Sequence, residues 1–287
     1  MVVHKPRGLT SFDIVRRVRR FADMRKVGHT GTLDPEATGV LPVALGRCTR
    51  LSKFLTLDDK RYQFTMRLGE ATETGDTEGE VVRTEAWEHL RREDIEDVLS
   101  NFVGEIEQVP PVYSAIKIDG KRAHELARAG EEVELEARTV RVDELKIIDW
   151  RPQEIDLDVR CGPGTYVRSL ASDIAAAVDT VAHTTMIHRL RVGPFTIEDA
   201  VRLEELEEDF WDQALPPLEM MRTLPKLGVD DEGRDRLRHG QPVEAPGQWD
   251  VGDAVAIHDD RQMLVAVAEF RSRYGQEAKL WPKRVMI

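Results

Sequence analysis

The chain has 287 residues, a length that suits one large domain with a small appended module. Hydrophobic residues make up 41% of it and charged residues 33%, which is typical of a globular protein, and its net charge is −12. No apolar run approaches the roughly 20 residues of a membrane helix, and the N-terminus lacks a signal peptide's apolar stretch, so we expect a cytoplasmic protein that does not contact a membrane. The two cysteines, Cys48 and Cys161, lie far apart without clustered metal ligands, so we expect no metal site.

The first 56 residues form a basic segment in this acidic chain. They hold 11 Lys and Arg against 4 Asp and Glu, a balance of +7 that leaves −19 for the remainder. Thr10 or Ser11 is predicted to cap a helix. Its apolar face is predicted to consist of Phe12, Val15, Val18 and Ala22. Off that face lie Arg16, Arg17, Arg19 and Arg20. Such a segment suits an anionic partner, although a solvated helix surface would have the same composition.

Beyond the basic segment, the hydrophobic pattern predicts strands and helices in irregular order. Strands are predicted at 62–68, 112–118, 140–148 and 155–161. Helices are predicted at 88–102, 121–129 and 166–178. Because these elements interleave without the regular alternation of a parallel βαβ fold, we expect an α+β fold built on a mixed, mainly antiparallel sheet.

The character of the chain changes near Pro216, Pro217 and Pro225. Short apolar runs at 254–257 and 263–267 follow, separated by turn residues. We therefore predict two domains, residues 1–222 and residues 223–287, and expect the second to be a small β-barrel or sandwich.

The most informative segment runs from Gly28 to Pro42. It is part of a Gly-, Thr- and Pro-rich stretch, 26–50, that we predict to be a long ordered loop with short helical pieces, and loops of that length are usually functional. Pro35 constrains the turn after Asp34, so this carboxylate could act as nucleophile, general base or metal ligand. Asp34 would equally suit the N-cap of a short helix with Pro35 in its first position. The local sequence leaves both interpretations open.

A series of motifs follows in order along the chain. They are Lys5-Pro6-x-Gly8-x-Thr10-Ser11, Gly28-His29-Thr30-Gly31-Thr32-Leu33-Asp34-Pro35-x-Ala37-Thr38-Gly39-Val40-Leu41, Lys60-Arg61-Tyr62, Asp76-x-x-Gly79, Gln108-x-Pro110-Pro111-x-Tyr113-Ser114-Ala115-x-Lys117, Gly164-Thr165-Tyr166-x-Arg168-Ser169-Leu170 and Arg191-Val192-Gly193-Pro194-Phe195. The series closely resembles the bacterial tRNA pseudouridine-55 synthases of the TruB family. The similarity is strong over residues 1–200 and weak in the tail.

The resemblance implies a pseudouridine synthase fold and an enzyme that isomerises uridine in the T-arm of tRNA. Asp34 matches the essential aspartate, and Arg168 matches the arginine that pairs with it. Tyr62 matches the tyrosine that stacks on the flipped base. Whether Asp34 attacks carbon or removes a ribose proton is left open. We expect no cofactor and a monomeric protein.

The resemblance also implies a set of RNA-binding residues, namely His29, Tyr166, Lys5, Arg50 and Ile187. His29 matches the histidine that fills the space left by the flipped nucleotide, a role that suits a planar ring. Tyr166 and Ile187 match positions that line the pocket. Lys5 opens the first motif, and Arg50 follows the loop, where it could contact backbone phosphates. Without the family pattern, His29 would be assigned a local hydrogen bond and Tyr166 a packing role.

One position departs from the family pattern, since His188 stands where an arginine is common. The change removes a positive charge from a phosphate contact or an internal ion pair. The tail resembles a PUA-like RNA-binding barrel at Gly240-Gln241-x-Val243 and Pro282-x-Arg284-Val285, although its acidic residues argue against strong RNA contact. Two alternatives stay open: an RNA-guided pseudouridine synthase of the archaeal and eukaryotic type, and a non-catalytic tRNA-binding or folding module.

Overall fold

A computed structural model of the chain describes residues 1–287 except 57–58, 115, 119, 130, 132, 208 and 273–276. The α-helices in the described residues are α1 (Ser11–Phe21), α2 (Ser52–Thr56), α3 (Arg92–Leu99), α4 (Ala123–Arg128), α5 (Val167–Ala176), α6 (Pro217–Met220) and α7 (Asp231–Arg238). The strands are β1 (Val2–Lys5), β2 (Val27–His29), β3 (Thr38–Leu45), β4 (Lys60–Leu68), β5 (Glu70–Thr72), β6 (Val81–Thr84), β7 (Gly104–Gln108), β8 (Lys117–Ile118), β9 (Lys121–Arg122), β10 (Arg138–Arg151), β11 (Glu154–Cys161), β12 (Ala182–Val192), β13 (Phe195–Thr196), β14 (Val201–Arg202), β15 (Lys226–Gly228), β16 (Ala254–His258), β17 (Leu264–Arg271) and β18 (Lys279–Val285).

A ten-stranded sheet forms the centre of the molecule. Its order is β14-β1-β3-β12-β4-β11-β10-β7, with β2 beside β3 and β13 beside β12. The pairs β1–β14 and β3–β12 are parallel, and the other pairs are antiparallel. This confirms the predicted α+β fold with a mixed, mainly antiparallel sheet.

The main core lies between one face of this sheet and helices α3 and α5. The alternating residues of β4 that the sequence assigned to a buried face are all buried, and so are those of β11. They pack against Ile95 of α3 and against Leu170 and Ile174 of α5. The period-two pattern in both strands thus predicted their buried face correctly.

Helix α1 begins where the sequence predicted, and three of the four residues assigned to its apolar face, Val15, Val18 and Ala22, are buried. Thr10 and Asp13 form a reciprocal capping box at its N-terminus. The buried residues are Ser11, Ile14, Val15 and Val18. The prediction for Phe12 was wrong, because its side chain lies one residue, about 100° of helix rotation, from Ser11 at the centre of the buried face. Phe12 is 53% exposed.

The predicted loop 26–50 contains regular structure at both ends. It includes β2 and β3, followed by a 3₁₀ helix from Gly46 to Leu51. The prediction was therefore wrong for β2 and β3 but right for the loop at residues 30–37, and the 3₁₀ helix agrees with the predicted short helical pieces. Gly39 shows why a glycine-rich segment can form a strand here. Its φ is +107°, and a Cβ at this position would lie 2.2 Å from the carbonyl oxygen of Arg189. The glycine lets β3 approach β12 closely rather than breaking the strand.

Other predicted elements agree in part with the structure. The helix at 88–102 is α3 plus a 3₁₀ turn at Ser100–Phe102, and the helix at 166–178 is α5. The strands at 140–148 and 155–161 lie within β10 and β11, and the helix at 121–129 is shortened to α4 by β9. The strand at 112–118 is wrong for most of its length, since only Lys117–Ile118 is extended and paired. Ala115 lies outside the described residues.

The tail carries a second sheet in the order β15-β16-β17-β18, with α7 packed against it. The described part of this sheet shows no pairing of β15 with β18, so the structure supports a small sheet and not a closed barrel. Ala256, Leu264 and Val267 belong to a core shared with Val40 and Phe195 of the main body. Among the described residues, no helix combines the length and the apolar character needed to cross a membrane.

Candidate active site

The loop at 30–37 joins β2 to β3 and carries Asp34. Its backbone is tied to α1 through Ser11, whose hydroxyl donates to the Leu33 carbonyl at 2.9 Å and accepts from the Leu33 amide at 2.8 Å. The Ala37 amide donates to the Asp34 carbonyl at 3.1 Å and closes a turn, which leads directly into β3. The helix-cap interpretation of Asp34 was therefore wrong, and the turn itself constrains the carboxylate.

Lys5 supports this turn from the inside of the molecule. Its side chain is fully buried, and its ammonium donates to the carbonyls of Pro35 at 2.9 Å, Ala37 at 2.5 Å and Pro6 at 2.9 Å. Burial lowers the pKa of the Lys5 ammonium to about 8, and the Asp34 charge acts in the opposite direction. Three backbone acceptors leave this cation no exposed surface for a phosphate. This arrangement argues for Lys5 as a positioning residue and against its predicted contact with RNA.

Arg168 joins Asp34 to a second carboxylate. Its Nε lies 3.1 Å from Asp34 Oδ2, and its Nη1 lies 3.4 Å from Asp76 Oδ2. The guanidinium also donates to the carbonyls of Thr74 at 2.6 Å and Tyr113 at 2.9 Å, so its orientation is determined by four partners. Because Arg168 is only 5% exposed whereas the Asp34 side chain is 35% exposed, the pair presents a carboxylate to the recessed cavity and keeps the cation behind it.

The Asp34 carboxyl has a raised pKa. Burial is the largest cause, and the Asp76 charge adds to it, while the Arg168 guanidinium opposes the shift. The sequence predicted the ion pair but not this balance, in which desolvation outweighs the counter-ion. A carboxylate with a raised pKa is a stronger base than an ordinary aspartate.

A cavity of about 320 Å³ opens beside Asp34. Tyr62, Tyr166 and Ile187 are among its walls, together with the aliphatic side of the loop. Tyr62 is nearly buried, and burial raises the pKa of its phenol, which therefore stays neutral at physiological pH. The cavity thus combines flat aromatic walls with one carboxylate, which suits a planar polar ligand.

Tyr166 is held at the start of α5 by a side chain from β7. The amide of Gln108 donates to the Tyr166 carbonyl at 3.1 Å, and the Gln108 carbonyl oxygen accepts from the Tyr166 amide at 2.8 Å. This reciprocal pair fixes the turn that precedes Val167 and thereby the starting point of the helix that carries Arg168.

Strand β12 brings the loop and the cavity walls together through Arg189. This residue stands opposite Gly39 in β3 and opposite Tyr62 in β4. Its guanidinium is buried and donates to the carbonyls of Val40 at 2.8 Å, Gly31 at 3.1 Å and Thr32 at 3.3 Å. Arg189 therefore ties both ends of the Asp34 loop to the sheet.

His29, Arg50 and His188, which the sequence also singled out, lie at three different places in the fold. His29 lines a groove that continues past Asp34, and burial together with Arg189 lowers the pKa of its imidazole, so the ring is neutral at pH 7. None of the described residues offers a hydrogen bond to its buried Nδ1. Arg50 lies beside the tail, where its Nη1 donates to the Val285 carbonyl at 3.3 Å, so its contact with RNA stays a prediction. His188 pairs its Nδ1 with the Thr38 hydroxyl at 2.7 Å, so a neutral side chain suffices where the family commonly has arginine.

The sequence interpretation did not assign a role to Asp76 or Arg189. Asp76 opens a quoted motif, and its burial was invisible because the surrounding residues are polar. Arg189 directly follows His188, and the sequence pattern singled out His188, where the family commonly has arginine, instead of Arg189. Within the described residues, no three His, Cys, Asp or Glu side chains are grouped to hold a metal ion.

Comparison with known proteins relates this site to one family. Residues 19–167 match the TruB family pseudouridylate synthase N-terminal domain, and residues 168–224 match the tRNA pseudouridylate synthase B C-terminal domain. A protein of Ruegeria sp. (strain TM1040) named tRNA pseudouridine synthase B is 49% identical over 84% of this chain and 82% of its own length. A protein of the same name from Ruegeria pomeroyi is 46% identical over 93% of this chain and 90% of its own.

Solved structures extend the similarity to the whole fold. A chain of a Cbf5–Nop10–Gar1 complex is 27% identical and aligns with a TM-score of 0.76 over 99% of this chain and 84% of its own length. The curated relatives are thus more similar in sequence than this structural neighbour.

Proposed function

The chain belongs to the TruB family of pseudouridylate synthases, and we propose that it isomerises uridine to pseudouridine at position 55 in the T-loop of tRNA. Isomerisation of uridine in tRNA is the activity for which the curated relatives are named. The observation that supports it most directly is the carboxylate of Asp34, held 3.1 Å from Arg168 at the mouth of a cavity with aromatic walls. Such a cavity accepts a base only after the base has left its stack.

The chemistry requires the N1–C1′ bond of the nucleotide to break and a C5–C1′ bond to form. The C5 proton leaves the ring, and N1 ends the reaction carrying a proton, so no atoms are gained or lost. Asp34 is the basic group beside the cavity, and either attack on carbon or removal of a ribose proton is served by its raised pKa. Arg168 orients the ionised carboxylate before it reacts.

The other residues around the cavity bind and orient the base. Tyr62 is neutral and stacks on the flipped uracil, while Tyr166 and Ile187 close the sides. His29, neutral and flat, takes the place that the base leaves in the RNA loop. Arg50 contacts the RNA backbone, and the small C-terminal sheet acts as a PUA-like RNA-binding module. A monomeric state, a cytoplasmic location and independence from metal stay predictions from the sequence.

An assay with unmodified tRNA transcript tests this function. The wild-type protein is expected to form pseudouridine at the T-loop position without any guide RNA, as mapped by a chemistry specific for pseudouridine. Asp34→Asn should bind tRNA and form no product, whereas Glu36→Gln, which removes the partner of the exposed Arg7, should stay active. Product at another position would overturn the T-loop assignment, and a need for guide RNA would identify the RNA-guided type. Product formation by Asp34→Asn would remove Asp34 from the chemistry.

A further inference from the structure

One large apolar side chain of the basic helix α1 has no place in the core. Phe12 is 53% exposed, although Ile14, Val15 and Val18 of the same helix are buried. A single exposed apolar residue needs no explanation on an ordinary surface. Phe12, however, lies at the N-terminal end of α1, next to the loop that carries Asp34, since its neighbour Ser11 bonds Leu33.

A groove of about 800 Å³ connects Phe12 with the cavity. Five residues line both the groove and the cavity, so the two spaces are continuous at the carboxylate. They are Thr32, Leu33, Asp34, Ser114 and Arg168. A nucleotide whose base occupies the cavity must therefore leave its neighbours along the chain in this groove, where His29 and Phe12 form one wall.

The two walls of the groove differ in charge. On the helix side, behind the groove wall, the guanidinium groups of Arg16 and Arg19 lie over the Phe12 ring, 5.9 Å and 5.5 Å from its centre. Arg16 also pairs with Asp13, and Arg19 donates to the Val27 carbonyl at 3.2 Å. The opposite wall carries carboxylates, namely Glu73, Asp76, Glu78 and Glu80. Phosphates are attracted to the helix side and repelled by the opposite wall, so an RNA strand would run its backbone along α1.

We propose that the exposed ring of Phe12 stacks on an unpaired base of the RNA loop that neighbours the target uridine. This inference rests on the proposed function and adds a substrate-binding residue to it. Unpaired bases expose flat faces that stack on aromatic side chains, and the positive charges of Arg16 and Arg19 beside the ring attract the phosphates next to the stacked base. Phe12 thereby holds the loop open while His29 fills the vacated position.

The matched variants Phe12→Leu and Phe12→Trp test the stacking. Leucine keeps an exposed apolar side chain but removes the aromatic face, so the Kd for a T-arm hairpin RNA should rise about 5- to 150-fold. Phe12→Trp, which keeps an aromatic face, should bind the hairpin with the wild-type Kd. Since the contact serves binding, kcat at saturating RNA should stay within about twofold of wild type. Trp211→Leu, which removes another exposed aromatic ring outside the groove, should leave the Kd unchanged.

Hairpins with a single abasic nucleotide identify the stacked base. At one loop position, the abasic substitution should weaken binding to wild type and have little further effect on Phe12→Leu, the non-additivity expected of two groups in contact. Additive losses at every loop position, or equal Kd values for Phe12→Leu and wild type, would overturn the inference. If the wild-type protein forms pseudouridine but the binding measurements give either of these contradicting outcomes, only the stacking role of Phe12 fails. If wild type modifies no tRNA, the proposed function fails instead.

Discussion

Replacement of Arg189 by methionine should loosen the loop that carries Asp34. Arg189 is 1% exposed, and its guanidinium donates to the carbonyls of Val40, Gly31 and Thr32 over distances of 2.8 Å, 3.1 Å and 3.3 Å. Methionine retains most of the buried length but donates no hydrogen bond, so three carbonyl groups at the two ends of the loop lose their partner.

The magnitude follows from two opposing contributions. Hydrogen bonds from a charged donor are worth about 1.5–3 kcal/mol each, so the two shorter bonds account for about 3–6 kcal/mol. Removal of a buried charge recovers part of this, because desolvation of an ion costs several kcal/mol. We expect a net loss of about 3 kcal/mol in the free energy of unfolding. A displacement of the Asp34 loop by about 1 Å should lower kcat/KM roughly 100-fold.

Urea unfolding and steady-state kinetics on tRNA transcript measure the two effects separately. Arg160→Met is the matched control, since Arg160 of β11 pairs with Glu144 of β10 on the surface of the same sheet and its loss should cost less than about 1 kcal/mol. Arg189→Lys should fall between wild type and Arg189→Met, because an ammonium retains the charge but not the planar fork. Unchanged unfolding free energy and unchanged kcat/KM in Arg189→Met would refute the role of these hydrogen bonds.

Three further changes test other parts of the site. Asp76→Asn should move the acid limb of the kcat/KM profile to lower pH, because the Asp76 charge raises the pKa of Asp34 and its removal lowers it; a midpoint that does not move would contradict this. Lys5→Met should lower kcat and leave KM for tRNA within about twofold, since the ammonium binds carbonyls; a higher KM at constant kcat would return Lys5 to the RNA-binding residues. Gly39→Ala should lower the unfolding free energy by at least about 2 kcal/mol, because Cβ would lie 2.2 Å from a carbonyl oxygen. Gly8→Ala is the control, because Gly8 has a φ of +81° but no atom lies within 4 Å of the added Cβ, so the free energy of unfolding should fall by only about 1 kcal/mol. Equal losses of unfolding free energy in the two variants would show that the close approach at Gly39 carries no cost.

Local sequence patterns correctly predicted the strands in which apolar side chains are buried at every second position. In β4 and β11 the apolar residues all face the core, so alternation identified both strands, although the polar Lys60 at the start of β4 shares that face and is buried. In α1 the capping residues identified the start, but the choice among neighbouring apolar residues failed for Phe12. A ligand that stacks on an exposed ring selects the same residue type as a core, so composition does not distinguish the two.

Strand β3 shows why the site resisted local interpretation. Gly39 and Pro42 are residues that usually end strands, yet both lie inside a strand of the central sheet. Their fit depends on Arg189 and Val2, which are far away in sequence and opposite them in the sheet. The ordered motifs recovered Asp34 and Arg168 because family resemblance carries such long-range pairings, whereas hydrophobic spacing does not.

The opposition between burial and charge at Asp34 bears on the reaction itself. A fully compensated ion pair would give a weakly basic carboxylate, and a buried carboxyl without a counter-ion would stay protonated at neutral pH. Arg168 lies between these limits because it divides its charge between Asp34 and Asp76. Asp34 consequently keeps more basicity than a singly paired aspartate, while its orientation is still determined by the guanidinium. Sharing one cation between two carboxylates thus suits either nucleophilic attack or proton removal. It also makes Asp76 the residue through which the pH dependence can be changed without replacing Asp34, the carboxylate that we propose to meet the nucleotide.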